Sequence, residues 1–320
     1  MAKNEILRAR TTADIDKRIE RVLDGLGNPE PPLDLRTVRE LLELDRGYYS
    51  AKDPGLLQET VSKLRIAGKQ VILRPMLLIE AVRKMDIRAL YIPDQKRILI
   101  DKSQPKLKHR WNEAHEIGHS LLPWHEGAML GDNEYTLVPA CHDQLEAEAN
   151  FAAARLLFLR EKFVAEAMDH EPCIDSMKQL KDRFGNTYTT TLWRCVEAWG
   201  ASIPVVGLIT GHPHPDRRES DFDPNNPCKH FIQSPVFAAQ FSNVPETTVF
   251  DQIAEYCSAK RGGPLGESEV LLLDDNGDEH IFVFASFHNH WQTLTIGVYS
   301  GPRNFSGASR STMTDLVGRS

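Results

Sequence analysis

The stretch LKHRWNEAHEIGHSLL, residues 107–122, carries the pattern that decides the fold. Its apolar residues recur at helical spacing and predict a helix with one buried face: Trp111, Ala114, Ile117, Leu121 and Leu122. In a helix, His115 and His119 lie four residues apart on one side, so both rings can point at a common site. Gly118 costs a helix about 1 kcal/mol relative to alanine, which indicates that another element packs closely there.

The spacing of His115, Glu116 and His119 is typical of a metal centre. Zinc accepts neutral imidazole nitrogen and favours tetrahedral sites. Zinc also activates water and polarises a carbonyl group, so a carboxylate beside it can take a proton and pass it to a leaving amine. We therefore predict Glu116 as the catalytic base. The alternative is an exposed amphipathic helix whose two histidines hold no ion.

A third ligand is expected from the helix predicted at residues 144–158, which offers Glu146 and Glu148. The helical neighbours of Glu146 are small and mostly apolar: Ala149, Asn150, Ala153 and Leu157. Those of Glu148 indicate a solvated face: Gln144, Ala152 and Arg155. We predict Glu146 as the ligand. Asn150, one turn later, is either a surface amide or the hydrogen-bond partner that fixes a ligand histidine.

These motifs resemble, in order and spacing, the ImmA/IrrE family of metallopeptidases. The resemblance rests on a strand hairpin, then His-Glu-Ile-Gly-His, then Glu-x-Glu-Ala-Asn-Phe-Ala-Ala-x-x-Leu-Leu at residues 146–157, and it covers residues 70–199. It implies a core similar to thermolysin-type zincins. It also implies His115, His119 and Glu146 as ligands and Glu116 as base, in agreement with the residue patterns.

Members of this family typically cut helix-turn-helix transcriptional repressors after DNA damage or mobile-element signals. The resemblance therefore implies a protein substrate cut at limited sites. Residues 89–92 or 97–100 resemble the strand whose edge could pair with an extended substrate segment; the alternative is a covered hairpin. Members often follow the ligand helix with a proline, where this chain has Leu159-Arg160-Glu161.

The predicted fold class is α+β. We expect a mainly helical zincin-like core with a small antiparallel sheet, a helix-turn-helix-like helical segment and a C-terminal β-rich α+β domain. The predicted division is an N-terminal helix at 1–30, the metallopeptidase core at 31–170, the helical segment at 171–200, the C-terminal domain at 201–300 and a disordered tail at 301–320. By analogy with radiation-response members, the C-terminal domain would sense a ligand.

Other elements are predicted from periodicity and from turn residues. The helices fall at residues 12–26, 34–43, 54–67, 76–85, 174–184 and 189–199. The strands fall at residues 70–74, 89–92, 97–100, 203–209, 270–273, 281–287 and 294–299. Asp275-Asn276-Gly277-Asp278 predicts a tight hairpin turn.

Composition and charge argue against several classes of protein. A formal net charge of -7 argues against a broad nucleic-acid surface. No apolar run approaches the roughly 20 residues that span a bilayer, and the charged first ten residues contain no apolar signal segment. Five dispersed cysteines are typical of free thiols in a reducing compartment, so we expect a cytoplasmic protein without a membrane partner.

Several residues leave alternatives open. His125 or Tyr135 could stabilise an oxyanion in the cleft. Two histidine pairs, at 212/214 and 288/290, are interpreted as surface histidines rather than a second metal site. Acidic and basic residues balance at 171–199, which favours packing of this helical segment over direct nucleic-acid binding.

The leading hypothesis is a zinc-dependent regulatory endopeptidase acting in a stress or mobile-element response. Two other classes compete with it: a catalytically quiet zinc-containing sensor or scaffold, and a DNA-binding regulator. Histidine ligands favour Zn²⁺, with Mn²⁺ left open as the cellular metal.

Overall fold

The N-terminal part of the chain folds into helices packed on a small sheet. We describe a computed structural model, in which residues 7–49, 89–92, 96–103, 106–125 and 139–303 are described. The helices of this part are α1 (Ala9–Gly25), α2 (Leu35–Leu41), α3 (Lys106–Leu121), α4 (Pro139–Leu157), α5 (Glu161–Met168), α6 (Ile174–Phe184) and α7 (Tyr188–Trp199). Its strands are β1 (Asp45–Tyr49), β2 (Ala89–Ile92) and β3 (Arg97–Asp101).

The small sheet has the order β1-β3-β2 and is mixed, not antiparallel as predicted. Strand β2 pairs antiparallel with β3, as the predicted hairpin requires, whereas β1 pairs parallel with β3. The sequence of β1, DRGYY, is short and begins with two charged residues and a glycine, so its two tyrosines alone do not predict a strand. Its register depends on a distant partner, since Asp45 lies opposite Arg97 and forms an ion pair with it.

Helices α3 and α4 approach each other very closely. A Cβ added at Gly118 would lie 2.8 Å from the backbone oxygen of Ala149 and 3.3 Å from the Cβ of Ala152. Contact at this distance needs a residue without a side chain, which explains the glycine that the sequence analysis singled out. The close packing also brings the ligand candidates of the two helices together.

The end of α4 and the next helices follow from local backbone conformation. Leu159 and Arg160 adopt positive φ angles of 54° and 50°, and this turn leads directly into α5 without a proline. Gly185 ends α6 in the left-handed conformation, with φ of 66°. The following helix, α7, is buried along most of its length, so the helix-turn-helix-like segment packs against the rest of the chain as predicted.

The C-terminal part is a five-stranded antiparallel sheet of order β5-β4-β8-β7-β6. Its strands are β4 (Val205–Thr210), β5 (Cys228–Gln233), β6 (Gly263–Leu273), β7 (Glu279–His288) and β8 (Thr293–Pro302). Helices α8 (Pro235–Gln240) and α9 (Glu246–Tyr256) cover one face, and α7 covers the other. Asp274 and Gly277 form the predicted turn between β6 and β7, with φ of 89° at Gly277.

The structure confirms the α+β class and leaves some predictions untested. The predicted division into domains remains a prediction, although one apolar core runs from Ile15 in α1 to Ile296 in β8. Gly301 and Pro302 end β8 and so do not belong to the predicted tail. The rest of that tail, and the elements predicted between residues 54 and 85, lie outside the described residues. Within those residues, no helix has the length and apolar character needed to cross a membrane.

Candidate metal centre

Helices α3 and α4 bring three side chains to one point. The Nε2 atom of His115 lies 3.1 Å from Nε2 of His119 and 3.2 Å from a carboxylate oxygen of Glu146. The other carboxylate oxygen of Glu146 lies 3.5 Å from Nε2 of His119. The side chain of Glu146 is 40% exposed while that of His119 is 6% exposed, so the centre opens to solvent on the side of α4.

These distances fit a divalent metal ion. Bonds of about 2.0–2.1 Å in a tetrahedral zinc site place neighbouring ligand atoms about 3.3 Å apart, and the three observed separations are 3.1, 3.2 and 3.5 Å. Two imidazole nitrogens that face each other cannot both present lone pairs unless a proton or a cation lies between them. Within the part of the chain that the structure describes, this is the group of ligand side chains whose geometry could hold a metal.

The electrostatics of the three groups favour a cation. Burial opposes ionisation of Glu146, but hydrogen bonds from His115 and His119 hold the pKa of this carboxyl well below its ordinary range. Burial alone would lower the pKa of His115, yet Glu146 and the charge of Glu116 raise it overall. The site therefore attracts a positive charge, which a proton or a metal ion can supply.

Glu116 is buried beside the two histidines. Glu116 is 5% exposed, and its carboxylate accepts a hydrogen bond from the backbone N–H of Tyr91 in β2. Burial raises the pKa of Glu116, while the neighbouring His115 and His119 partly oppose that rise. A carboxyl group with a raised pKa can take up and release a proton closer to neutral pH.

Asn150 contacts one of the two candidate ligand histidines. Its Oδ1 atom is 3.0 Å from Nδ1 of His115. When Nε2 faces the centre, the N–H at Nδ1 donates to this amide oxygen and fixes the orientation of the ring. Asn150 is exposed on the surface of α4, so this amide lies on the surface and also contacts His115.

His125 is fully buried, between His119 and Glu148. Its Nδ1 lies 2.9 Å from Nδ1 of His119, and its Nε2 lies 3.0 Å from a carboxylate oxygen of Glu148. Burial lowers the pKa of His125 to about 4, so the ring is neutral at pH 7. With both nitrogens occupied, the ring offers no free N–H to an oxyanion. Tyr135, the other candidate for that role, lies outside the described residues.

Sequence reasoning was wrong about Glu148. The predicted solvated face is buried except at Gln144, and Glu148 is only 2% exposed. Its carboxylate accepts hydrogen bonds from the Trp124 indole at 2.6 Å and from the Gln144 amide at 2.9 Å. Glu148 is buried by contacts with Trp124 and His125, which follow α3 in the chain. Neither residue belongs to a periodic pattern, so these contacts could not be predicted from the sequence.

Each of the two histidine pairs interpreted as surface histidines has one buried member, His212 in the first pair and His288 in the second, whereas His290 is exposed. His212 and His288 are 7% and 8% exposed, and their ring centroids are 4.8 Å apart. His212 accepts from the backbone N–H of His214 and donates to the backbone oxygen of Lys260. Since both nitrogens of His212 are used, this cluster does not form a metal site.

Two histidines on one helix and a glutamate on the next, with a further glutamate beside them, define the metal centre of His-Glu-x-x-His metallopeptidases. The comparison with family models agrees: residues 73–195 match the IrrE N-terminal-like domain of a peptidase family. The resemblance to the ImmA/IrrE family seen in the sequence is therefore confirmed over these residues.

Comparisons over the whole chain add little to this assignment. No curated protein matches the sequence closely enough to count as a relative. Among solved structures, the chain is similar to a Mycobacterium tuberculosis transcriptional regulator with 13% identity and a TM-score of 0.49. That similarity covers 89% of this chain and 88% of the regulator.

Proposed function

We propose that the protein is a zinc-dependent regulatory endopeptidase that hydrolyses a peptide bond in a protein substrate. The observation that carries this proposal is the convergence of His115, His119 and Glu146 within 3.1–3.5 Å, with Glu116 buried beside them. This arrangement supports a set of three metal ligands with a base beside them, as peptide hydrolysis requires. A catalytically quiet sensor would have no need for the base.

The bound metal and Glu116 would have separate roles in hydrolysis. A bound Zn²⁺ supplies Lewis acidity toward a water molecule and toward the carbonyl group to be attacked. Glu116, held by the Tyr91 N–H, takes a proton from that water and passes it to the leaving amine. The open side at Glu146 admits the substrate.

The geometry of the small sheet limits where a substrate segment could pair. Strand β3 lies between β1 and β2 and has no free edge, so residues 97–100 are not a pairing strand. Strand β2 forms ladder pairs with β3 alone among the described strands. An extended substrate segment alongside β2 would pass next to Tyr91 and Glu116, close to the reacting groups.

The resemblance to the ImmA/IrrE family supports the class of substrate. We propose a helix-turn-helix transcriptional repressor, cut in a stress or mobile-element response inside the cell. The buried α7 gives no support to direct DNA binding by this chain, because the second helix of the helix-turn-helix-like segment is not accessible to a groove.

The test combines metal content with cleavage of co-encoded repressors, followed by mass spectrometry. We expect the wild-type protein to bind one zinc ion and to produce discrete fragments. Glu116→Gln should keep the zinc and lower the cleavage rate by about 10²–10⁴-fold, since general acid–base catalysis contributes that much. His115→Ala should lose both zinc and cleavage.

The matched carboxylate-to-amide control is Glu161→Gln, at an exposed residue of α5 that pairs with Arg155 away from the centre. This variant should keep zinc and activity. Fragments that persist in Glu116→Gln would point to a contaminating protease and contradict the proposal. Bound zinc without cleavage of any repressor would favour the quiet sensor.

A further inference from the structure

A chain of hydrogen-bonded, buried polar side chains leads away from His119 in the candidate metal centre. It starts at Nδ1 of His119, continues through both nitrogens of His125 at 2.9 and 3.0 Å, and ends at the carboxylate of Glu148. His125 is 0% exposed and Glu148 is 2% exposed. Burying a polar group destabilises the fold unless the group is hydrogen-bonded. The hydrogen bonds among these three side chains therefore fix their relative positions.

The positions of the protons follow from the proposed ligand role of His119. Its Nε2 must be unprotonated to bind a metal, so the proton lies on Nδ1 and is donated to Nδ1 of His125. Because Nδ1 of His125 accepts this hydrogen bond, the proton of the His125 ring lies on Nε2 and is donated to Glu148. Each donor meets one acceptor along the whole chain of contacts.

Glu148 is itself held in place. The indole N–H of Trp124 and the amide of Gln144 donate to its two oxygens at 2.6 and 2.9 Å. The Trp124 ring lies under the guanidinium of Arg18 in α1, 5.2 Å from its centroid. The carboxylate is therefore a fixed acceptor rather than a mobile surface group.

We propose that His125 and Glu148 are positioning residues that orient the His119 ring and increase the electron density at its Nε2, so that the metal is held more tightly. This inference rests on the proposed function, because it assumes that His119 is a ligand. A carboxylate behind a ligand histidine commonly has this effect. Here the carboxylate acts through a second imidazole, whereas His115 has the neutral amide of Asn150.

The experiment measures the zinc dissociation constant of the full chain by competition with a chromophoric chelator. We expect His125→Ala and Glu148→Ala to weaken zinc binding by about 10–100-fold, the usual effect of losing such a partner. Glu148→Gln keeps an acceptor of the same shape, so it should retain more affinity than Glu148→Ala. The double variant should bind no more weakly than His125→Ala, because Glu148 acts through His125.

A second measurement separates positioning from general destabilisation. The visible spectrum of the cobalt-substituted protein reports the ligand field, and we expect its bands to shift in Glu148→Gln. The control is Glu113→Gln, which alters a buried carboxylate of α3 that pairs with Arg39 and Arg46 and contacts no ligand. Its zinc affinity and cobalt spectrum should match the wild type.

The outcomes are distinct. The inference is overturned if Glu148→Gln and Glu148→Ala both bind zinc within twofold of the wild type, or if the effects of His125→Ala and Glu148→Ala add in the double variant. Should His125→Ala fail to fold, the two Glu148 variants decide. The proposed function itself fails if the wild type binds no zinc or if His115→Ala binds it equally well.

Discussion

At the scale of single residues, His288 connects burial with the pH dependence of stability. Its ring is 8% exposed, and its Nδ1 lies 2.9 Å from the Thr293 hydroxyl. Burial lowers the pKa of His288 to about 4, and the nearby His212 and His290 add to the effect. An unfolded histidine has a pKa of about 6.5. The unfolded chain therefore binds this proton more readily, and stability is lost as the pH falls from about 6.5 toward 4.

Replacing His288 with glutamine should remove this loss. Between pH 7 and pH 5, the wild type should lose on the order of 1 to 2 kcal/mol more free energy of unfolding than the variant, from a pKa difference of about 2.5. Urea unfolding of both proteins at pH 7, 6 and 5 measures this difference in the free energy of unfolding. Comparison at equal pH cancels the contribution of other titrating groups, and an equal slope in both proteins would refute the prediction.

Glu146 and Glu148 show what could and what could not be predicted from the residue patterns. In a helix, residues two apart do not share a face, so one carboxylate points at the histidines of α3 and the other points behind them. The small neighbours of Glu146 indicated close packing, and this prediction agrees with the geometry. The burial of Glu148 depends on Trp124 and His125, whose path after α3 is set by tertiary contacts that local sequence does not encode.

At the scale of elements, the contact between α3 and α4 predicts the effect of Gly118→Ala. Helix propensity alone would stabilise α3 by about 1 kcal/mol. The new Cβ would lie 2.8 Å from the backbone oxygen of Ala149, however, and a backbone atom cannot rotate away. Because overpacking costs typically 1–3 kcal/mol, we expect a net loss of stability of roughly 1–2 kcal/mol and weaker zinc binding, measured by urea unfolding and chelator competition.

Gly211→Ala is the matched control for this substitution. A Cβ at Gly211 meets nothing within 4 Å, so stability and zinc affinity should remain close to those of the wild type. If Gly118→Ala were as stable as the wild type with unchanged zinc affinity, the close approach of the two helices would not be what sets the ligand geometry.

Strong periodicity explains which elements could be predicted. Helices α3, α6 and α7 match their predicted ranges within one residue at each end, because each has a continuous apolar stripe. Strands β1 and β5 have no such pattern, and each forms because a neighbouring strand supplies its hydrogen bonds. Helix α4 begins at Pro139, whereas the predicted helix begins at residue 144. The residues of its first turns are typical of a polar loop.

At the scale of the whole molecule, strand β4 connects two apolar cores. Ile209 belongs to the core that includes α3, α4 and α7, whereas Leu208 faces the core under α8 and α9. Both side chains are fully buried. The C-terminal sheet thus packs on α7 and shares an apolar core with α3 and α4, and we infer that the two parts unfold together.

The pair Ile209→Ala and Leu208→Ala tests this coupling, because the two residues are adjacent and point to opposite faces of one strand. Truncation of a buried leucine or isoleucine to alanine costs about 2–5 kcal/mol. Hydrogen exchange followed by mass spectrometry reports the stability of α3 and of β7 separately. If the molecule unfolds as one unit, each variant lowers the protection of the slowest amides in both elements by the same free energy. Loss of protection confined to β7 in Leu208→Ala would instead mean that the sheet and its outer helices melt while the metal centre stays folded.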